Sequence, residues 1–496
     1  MGLVLGIDSS TQSCKAELRD VDSGELRGTG RAPHPPATGP VSEQDPQEWW
    51  SALGTACAAA LSAANVDPSD VVAVSVAAQC HGLVALDSAG AVIRPAKLWN
   101  DTTSIDEVAR LRELLPDADW ARRTGSVPTA AFTIGKVAWL ARYEPENLRR
   151  TTTVLLPHDY LTFRLSGERV TDRSEASGTG YFDASADGGR GRYLPDLLEL
   201  VDPQIDWSST FPRVAGPSEV AGELTTEAAE FLGGHPGTLV AAGGGDQHAA
   251  ALGLGVAPGD VTFSLGTSGV VFTPSTTAVH DASGTVDGVA DCTGGYLPLV
   301  STLNAARVTD QFARLLGVDA AEFAELALAA GTDTGPVLIA HLDGERKPDL
   351  PRARGTLTGI TSATTRKEIA RAAHEGVLLG LVRGLEHLQR NGVDTGGRVL
   401  VVGGGARSPA HRHLLADLLQ REVELPDADE ATARGACVQA AAVATGADVR
   451  TVRDAWRPGT LLRTPPRPVH RDPRAHYARA AKATEDLWNG DHRVEP

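Results

Sequence analysis

Short β-rich apolar runs alternate along this chain with longer helical stretches, and that alternation predicts an α/β protein. Leu3 to Ile7 reads as a strand, Asp8 to Ser13 as a polar turn, and Cys14 to Arg19 as a returning strand. The chain thus opens on a hairpin whose turn is rich in hydroxyls. Pro33, Pro35, Pro36 and Pro40 mark a loop. Asp45-Pro46 predicts a helix start, the aspartate capping and the proline in an early helical position. Val71 to Ala77 is a continuous strand-like run that ends in Gln79-Cys80-His81-Gly82.

The second half repeats the theme. Val261 to Leu265 is a strand, Gly266-Thr267-Ser268-Gly269 a turn, and Val270 to Thr273 the return, so two hydroxyl-bearing hairpins point to a duplicated architecture. A helix is predicted from Arg366 to Gln389, then a strand at Val399 to Val402, the turn Gly403 to Pro409, and a helix from Ala410 to Gln420. A domain break near residue 240 gives domains 1–240 and 241–496, with ligands expected between the two halves. The tail from Pro465 onward is read as a surface helix with polar flanks.

Composition sharpens the class. At 496 residues the chain exceeds what one ordinary core organises. A formal net charge of -17 argues against nucleic acid as a partner, while ATP could still be held locally by backbone amides and a metal ion. The five cysteines, Cys14, Cys57, Cys80, Cys292 and Cys437, show no metal-ligand spacing and fit reduced thiols. The N-terminus reads straight into a strand without a secretory signal, and no apolar run approaches the roughly 18 residues of a membrane helix. A soluble, cytoplasmic protein with no membrane partner is expected.

The chemistry centres on Val240 to His248, where three glycines and then Asp246 follow a strand. By itself this could be a tight turn with a helix cap. No P-loop motif is present, His470-Arg471-Asp472 imitates a protein-kinase triplet only by coincidence, and Gly253-Leu254-Gly255 has the third glycine of a dinucleotide fingerprint misplaced, so that helix packing explains it better. What remains are three turns, Asp8 to Thr11, Gly266 to Gly269 and Gly403 to Ser408, each after a strand. Together with the run before Asp246 they describe a nucleotide site, because phosphates are held where several backbone amides converge. In an arbitrary protein His81 would more often be a bonded core histidine, and Trp99 core filler with Asn100 and Asp101 capping a helix.

That arrangement resembles the FGGY sugar kinases of the actin and hexokinase superfamily over nearly the whole chain. Gly6-Ile7-Asp8 with Thr11 and Lys15 resembles the first phosphate hairpin, Ser264 to Gly269 the second, and Gly403 to Ala406 the adenosine turn. Gly355-x-Leu357-x-Gly359-Ile360, with Glu368 and Glu375 after it, resembles a family signature. Ser42 to Pro46, Gln79 to Gly82, Leu98 to Asp101, Leu155 to Leu161 and Gly344 to Arg346 are most similar to the xylulose-phosphorylating branch.

The resemblance implies two ribonuclease H-like domains around a nucleotide and sugar cleft, with ATP and Mg²⁺ as cofactors, and it allows a homodimer. It makes Asp246 the catalytic base and gives Asp8 the Mg²⁺, through water. Thr11, Lys15, Gly266, Thr267, Ser268, Gly404, Gly405 and Ala406 would bind nucleotide, and Cys80, His81, Trp99, Asn100, Asp101 and Gln247 would bind sugar. Other ketoses or polyols (ribulose, gluconate, glycerol) remain the alternative, and a non-catalytic actin-like switch the more distant one. Three positions depart from the family: Ser10 replaces a common glycine, Cys80 a common methionine, and His374 interrupts an apolar position.

Overall fold

The computed structural model describes residues 2–37, 39–331, 335–468 and 472–490, so His470 and Arg471 of the kinase-like triplet lie outside the described residues. It divides into two compact units. One comprises Met1–Val256, Thr276–Leu297 and Ala428–Pro458; the other comprises Ala257–Ser275, Pro298–Asp427 and Gly459–Pro496. The units are therefore discontinuous in sequence, and Asp246 belongs to the first. Strand pairing explains this: Leu239–Ala241 and Gly244–Gly245 both run parallel to Val71–Ala78 and extend the N-terminal sheet.

In the first unit the sheet runs Val220–Glu223, Leu239–Ala241, Val71–Ala78, Leu3–Ser9, Ser13–Asp20, Leu26–Pro33. Leu3–Ser9 is antiparallel to Ser13–Asp20 and parallel to Val71–Ala78. Side chains alternate along a strand, so Leu3, Leu5 and Ile7 enter the core beneath the helix Pro46–Ala64, while Val4 packs with Cys437, Val438 and Ala441 of the helix Ala431–Thr445. Gly6 and Asp8 share the face of Val4. A Cβ on Gly6 would lie 2.2 Å from the Ala433 carbonyl oxygen, so the missing side chain lets helix backbone rest on the strand. As predicted, Asp45 caps its helix, its carboxylate accepting from the Gln47 amide.

The second unit repeats the pattern with different residues. Its sheet runs Leu299–Thr302, Gly269–Phe272, Val261–Leu265, Val399–Val402, Val423–Pro426, Thr460–Thr464. Outward from the three antiparallel hairpin strands come two parallel pairings and a final antiparallel one, the same sequence of pairings as in the first unit. The duplication read from the two hairpins is thus present in strand order. The helix Arg366–Arg390 starts with a capping box between Thr365 and Glu368 and buries Val377, Leu378, Leu381, Leu385 and Leu388.

The C-terminal helix Arg474–Gly490 is less superficial than its polar flanks suggest, since Tyr477, Ala481 and Thr484 are buried and Glu485 pairs with Arg383. Among the described residues no helix is long and apolar enough to cross a membrane.

Candidate active site

Three parallel-running strands of the first unit, Leu3–Ser9, Val71–Ala78 and Gly244–Gly245, bring Asp8, Cys80 and Asp246 to their C-terminal ends, the usual ligand side of such a sheet. Asp8 lies within its strand rather than in the turn to which the sequence reading assigned it, because the hairpin pairing continues to Ser9 and Cys14. Its cross-strand partner is Lys15. The lysine Nζ sits 3.7 Å from Asp8 Oδ2 and 2.6 Å from Glu430 Oε2, just before the helix whose backbone covers Gly6. The Ser10 hydroxyl donates to Asp8 Oδ1.

Burial pushes the Asp8 carboxyl up to about 7, and the Asp246 and Glu430 charges add to that, against the lowering effect of Ser10 and Lys15. Burial would lower the Lys15 ammonium, but Glu430 and Asp8 outweigh it and hold its pKa above the ordinary value.

Asp246 opens the helix Asp246–Gly253, with Gly245 in the capping position. The tight-turn reading is correct as far as it goes: Gly243 has φ +81°, and a Cβ there would meet the Val76 carbonyl oxygen at 2.3 Å. The carboxylate does not cap the helix from outside. Its Oδ1 accepts from the Gln247 amide at 2.8 Å and from Cys80 Sγ at 3.2 Å. Burial raises its carboxyl to about 6, with Glu175 contributing and Cys80, Gln247 and His81 opposing. A carboxylate poised there suits proton acceptance near neutral pH.

His81 follows with φ +63°, a left-handed conformation for a non-glycine residue. Glu175 holds it. The His81 amide donates to Glu175 Oε2 at 2.8 Å, and its Nδ1 lies 3.2 Å from Oε1. The ring stacks on Phe132, and Gly178 leaves it room, since a Cβ there would come 1.9 Å from His81 Cε1.

Trp99 Nε1 donates to the Thr11 hydroxyl at 3.0 Å, which ties the tryptophan to the first hairpin turn. Asn100 accepts from Ser42 Oγ at 2.8 Å. Asp101 is fully buried, and its carboxylate takes the Ser42 and Thr103 amides, the Thr103 hydroxyl and Lys97, so it holds the Trp99–Asn100 turn in place and has no face open to a ligand.

Glu175, Gly178 and Glu430 escaped the sequence reading. The only local trace of Glu175 is the capping aspartate before it, as Asp172 accepts from the Ser174 and Glu175 amides. His158, inside the Leu155 to Leu161 stretch, is also buried, 2.9 Å from Asp159 Oδ1 and 3.4 Å from Asp172 Oδ1. Burial opposes its charge, but Asp159 and Asp172 raise it to about 9.

In the second unit, Gly266, Thr267, Thr309, Phe323, Gly404, Gly405, His374 and His411 line one cavity of about 680 Å³. The glycines of the turn differ in role. Gly403 has φ +85° and a Cβ on it would crowd Leu265 O at 2.8 Å, whereas a Cβ on Gly404 would meet nothing within 4 Å. Ser268 closes the other turn, its carbonyl accepting from the Gly266 amide at 3.1 Å, and Ala406 is a buried anchor whose amide donates to Gly403 O.

The polar break at His374 is accommodated locally: Nδ1 faces Ala370 O at 2.9 Å and the ring stacks on Phe323. Burial and the neighbouring His411 lower it to about 3, so it is neutral. The helix Pro409–Leu419 begins at the cavity, and a helix start favours an anion.

A sheet of this order occurs twice, with buried carboxylates at the strand ends of one copy and a glycine-lined cavity beside a helix start in the other, the two-domain α/β architecture of the actin and hexokinase type. The N-terminal domain of the FGGY family of carbohydrate kinases matches residues 3–253 and its C-terminal domain residues 261–444; the chain belongs to this family.

Among its relatives is a xylulose kinase of Streptomyces coelicolor, 43% identical over 92% of this chain and 90% of that protein. The crystal structure of xylulose kinase from Bifidobacterium adolescentis superposes with a TM-score of 0.86 at 38% identity, covering 97% of this chain and 99% of that one. A Plasmodium falciparum glycerol kinase solved with ADP, 18% identical, shares the fold with a TM-score of 0.83 over 100% of this chain and 99% of its own.

Proposed function

We propose that this chain transfers the γ-phosphoryl group of ATP to the terminal hydroxyl of D-xylulose, giving D-xylulose 5-phosphate and ADP as a step of xylose catabolism. The observation that carries the reading is Asp246: a carboxylate raised to about 6, at the end of a parallel strand and beside Cys80 and His81, in a chain so similar to xylulose kinases. The sugar oxygen forms the new bond to phosphorus while the bond to the ADP oxygen breaks, and the hydroxyl proton passes to Asp246. Such transfers have loose transition states, so aiming the hydroxyl matters as much as removing its proton.

Each unit supplies one part of the chemistry. The cavity at Gly404 and Thr267 holds the nucleotide, and the strand ends around Asp246 and His81 hold the sugar. Asp8 fits a Mg²⁺ role: it is a hard oxygen donor, 2% exposed and raised to about 7, which a nearby cation would relieve. Such an ion would neutralise charge on the phosphates when bound. Lys15, paired with Asp8 and Glu430, keeps the hairpin turn in register and adds positive charge there.

A coupled ADP-release assay with D-xylulose, ribulose, gluconate and glycerol tests the reading. D-xylulose should give the highest kcat/KM, and a stronger response to another acceptor would reassign the substrate.

A further inference from the structure

Under the glycine turn of the first unit lies a charged layer that the proposed transfer does not use. His158, at the start of the helix Pro157–Ser166, is fully buried, with its Nε2 2.9 Å from Asp159 Oδ1 and 3.4 Å from Asp172 Oδ1. Neither ring nitrogen makes a hydrogen bond, so charge rather than a directed bond holds the imidazole between the two carboxylates.

Two routes lead from this layer to the site. Asp172 accepts from the Ser174 amide at 2.7 Å and the Glu175 amide at 3.0 Å, capping the short helix Arg173–Ala176, and Glu175 in turn holds the His81 amide. The second route is steric. A Cβ on Gly243 would lie 2.9 Å from His158 Cδ2, and one on Gly244 would lie 3.2 Å from Ser174 Oγ and 3.6 Å from Asp172 Oδ2. The turn that delivers Asp246 thus rests on His158 and on the capped end of that helix.

The layer needs a cation, because Asp159, Asp172 and Glu175 are all buried carboxylates. Burial pushes the Asp172 carboxyl up to about 6 even with His158 beside it, so without that charge its protonated form gains at neutral pH. A protonated carboxyl is a weaker acceptor for the two amides, and the cap loosens. His248, on the helix Asp246–Gly253, also faces this layer, but burial lowers it to about 4 and leaves it neutral.

We propose that the His158 imidazolium is a positioning residue: its charge fixes Asp172, and through it Glu175 and His81, while its ring supports the turn that aims Asp246. It acts through these residues and not on the reacting atoms. The effect on turnover rests on the reading of Asp246 as base and His81 as a sugar contact.

Steady-state kinetics of full-length His158→Gln and His158→Lys, with whichever acceptor the ADP-release assay prefers, test this. Gln removes the charge, whereas Lys restores a cation. His158→Gln should lower kcat and raise KM for the sugar, on the order of tenfold to a hundredfold in kcat/KM, with KM for ATP unchanged, and His158→Lys should regain most of the loss. In the parent, kcat should fall as pH rises through about 9, where His158 loses its proton; in His158→Lys the fall should move toward the ordinary lysine value of about 10.4. Parental kcat/KM for the sugar in a folded His158→Gln, or a His158→Lys no better than His158→Gln, overturns the proposal. A parent profile flat through pH 9 overturns it whether or not the variants fold. If Asp246→Asn keeps its rate of transfer, the base assignment falls alone, and His158→Gln must still raise KM for the sugar.

Discussion

Cys80 Sγ donates to Asp246 Oδ1 across 3.2 Å, joining the end of one parallel strand to the start of the helix that follows another. This bond favours the ionised carboxylate and lowers the pKa of Asp246 against the effect of burial. The acid limb of the kcat/KM profile should therefore fall below pH about 6, where Asp246 takes up a proton and can no longer accept one. In Cys80→Ala the limb should move to higher pH, because the donor is gone while the carboxylate stays enclosed. A limb that stays in place or moves down would show that the thiol does not tune the base.

His158 makes stability pH-dependent. Its folded pKa of about 9 lies above the ordinary 6.5 because Asp159 and Asp172 face it. A raised histidine stabilises fully below its unfolded pKa and loses that contribution as pH rises through the folded value. Between pH 6.5 and 9 the loss should be on the order of 3 kcal/mol. Thermal melts should show the midpoint falling over this window, and His158→Gln should flatten the dependence. Equal slopes in the two proteins would remove His158 as its source.

Packing under the helix Asp246–Gly253 leaves no space for a methyl group. A Cβ on Gly435 would lie 1.8 Å from the Ala249 carbonyl oxygen, and one on Gly253 would lie 2.0 Å from Ala431 O. Gly435→Ala must push the helix Asp246–Gly253 away from its neighbour, costing about 1–3 kcal/mol and displacing Asp246. Both the melting temperature and kcat should drop. A variant as stable and active as the parent would mean that the two helices pack less closely than this.

The glycine turn of the second unit separates two kinds of effect. Gly404 has open space before it, so Gly404→Val should fold normally yet raise KM for ATP, its side chain entering the cavity. Gly403→Val meets Leu265 O at 2.8 Å in a conformation unfavourable for L residues, so it should chiefly lower stability. Melting curves beside ATP saturation curves distinguish them. An unchanged KM in Gly404→Val would place the nucleotide elsewhere.

Much of this framework was legible because it is local. Hairpins, the Asp45 cap, the helix Arg366–Arg390 and the strand before Gly403 follow from turn residues and hydrophobic period. Asp8 was identified as important yet assigned to a turn, because strand pairing past Ile7 depends on partners from the rest of the sheet. Glu175 was missed for a stronger reason. It stands 94 residues from His81, and no pattern of spacing records a contact made only by folding. Asp101 shows the converse: its place in a polar turn suggested a ligand contact, while its partners are Ser42, Thr103 and Lys97.

Asp246 is the centre of the account, and single-turnover phosphoryl transfer from ATP to D-xylulose by Asp246→Asn tests it most directly. The substitution keeps size and polarity but removes the proton acceptor. The rate of transfer should fall by about 10²- to 10⁴-fold while the melting temperature and ATP binding stay close to the parent's. Transfer at near-parental rate would contradict the assignment of Asp246 as the base.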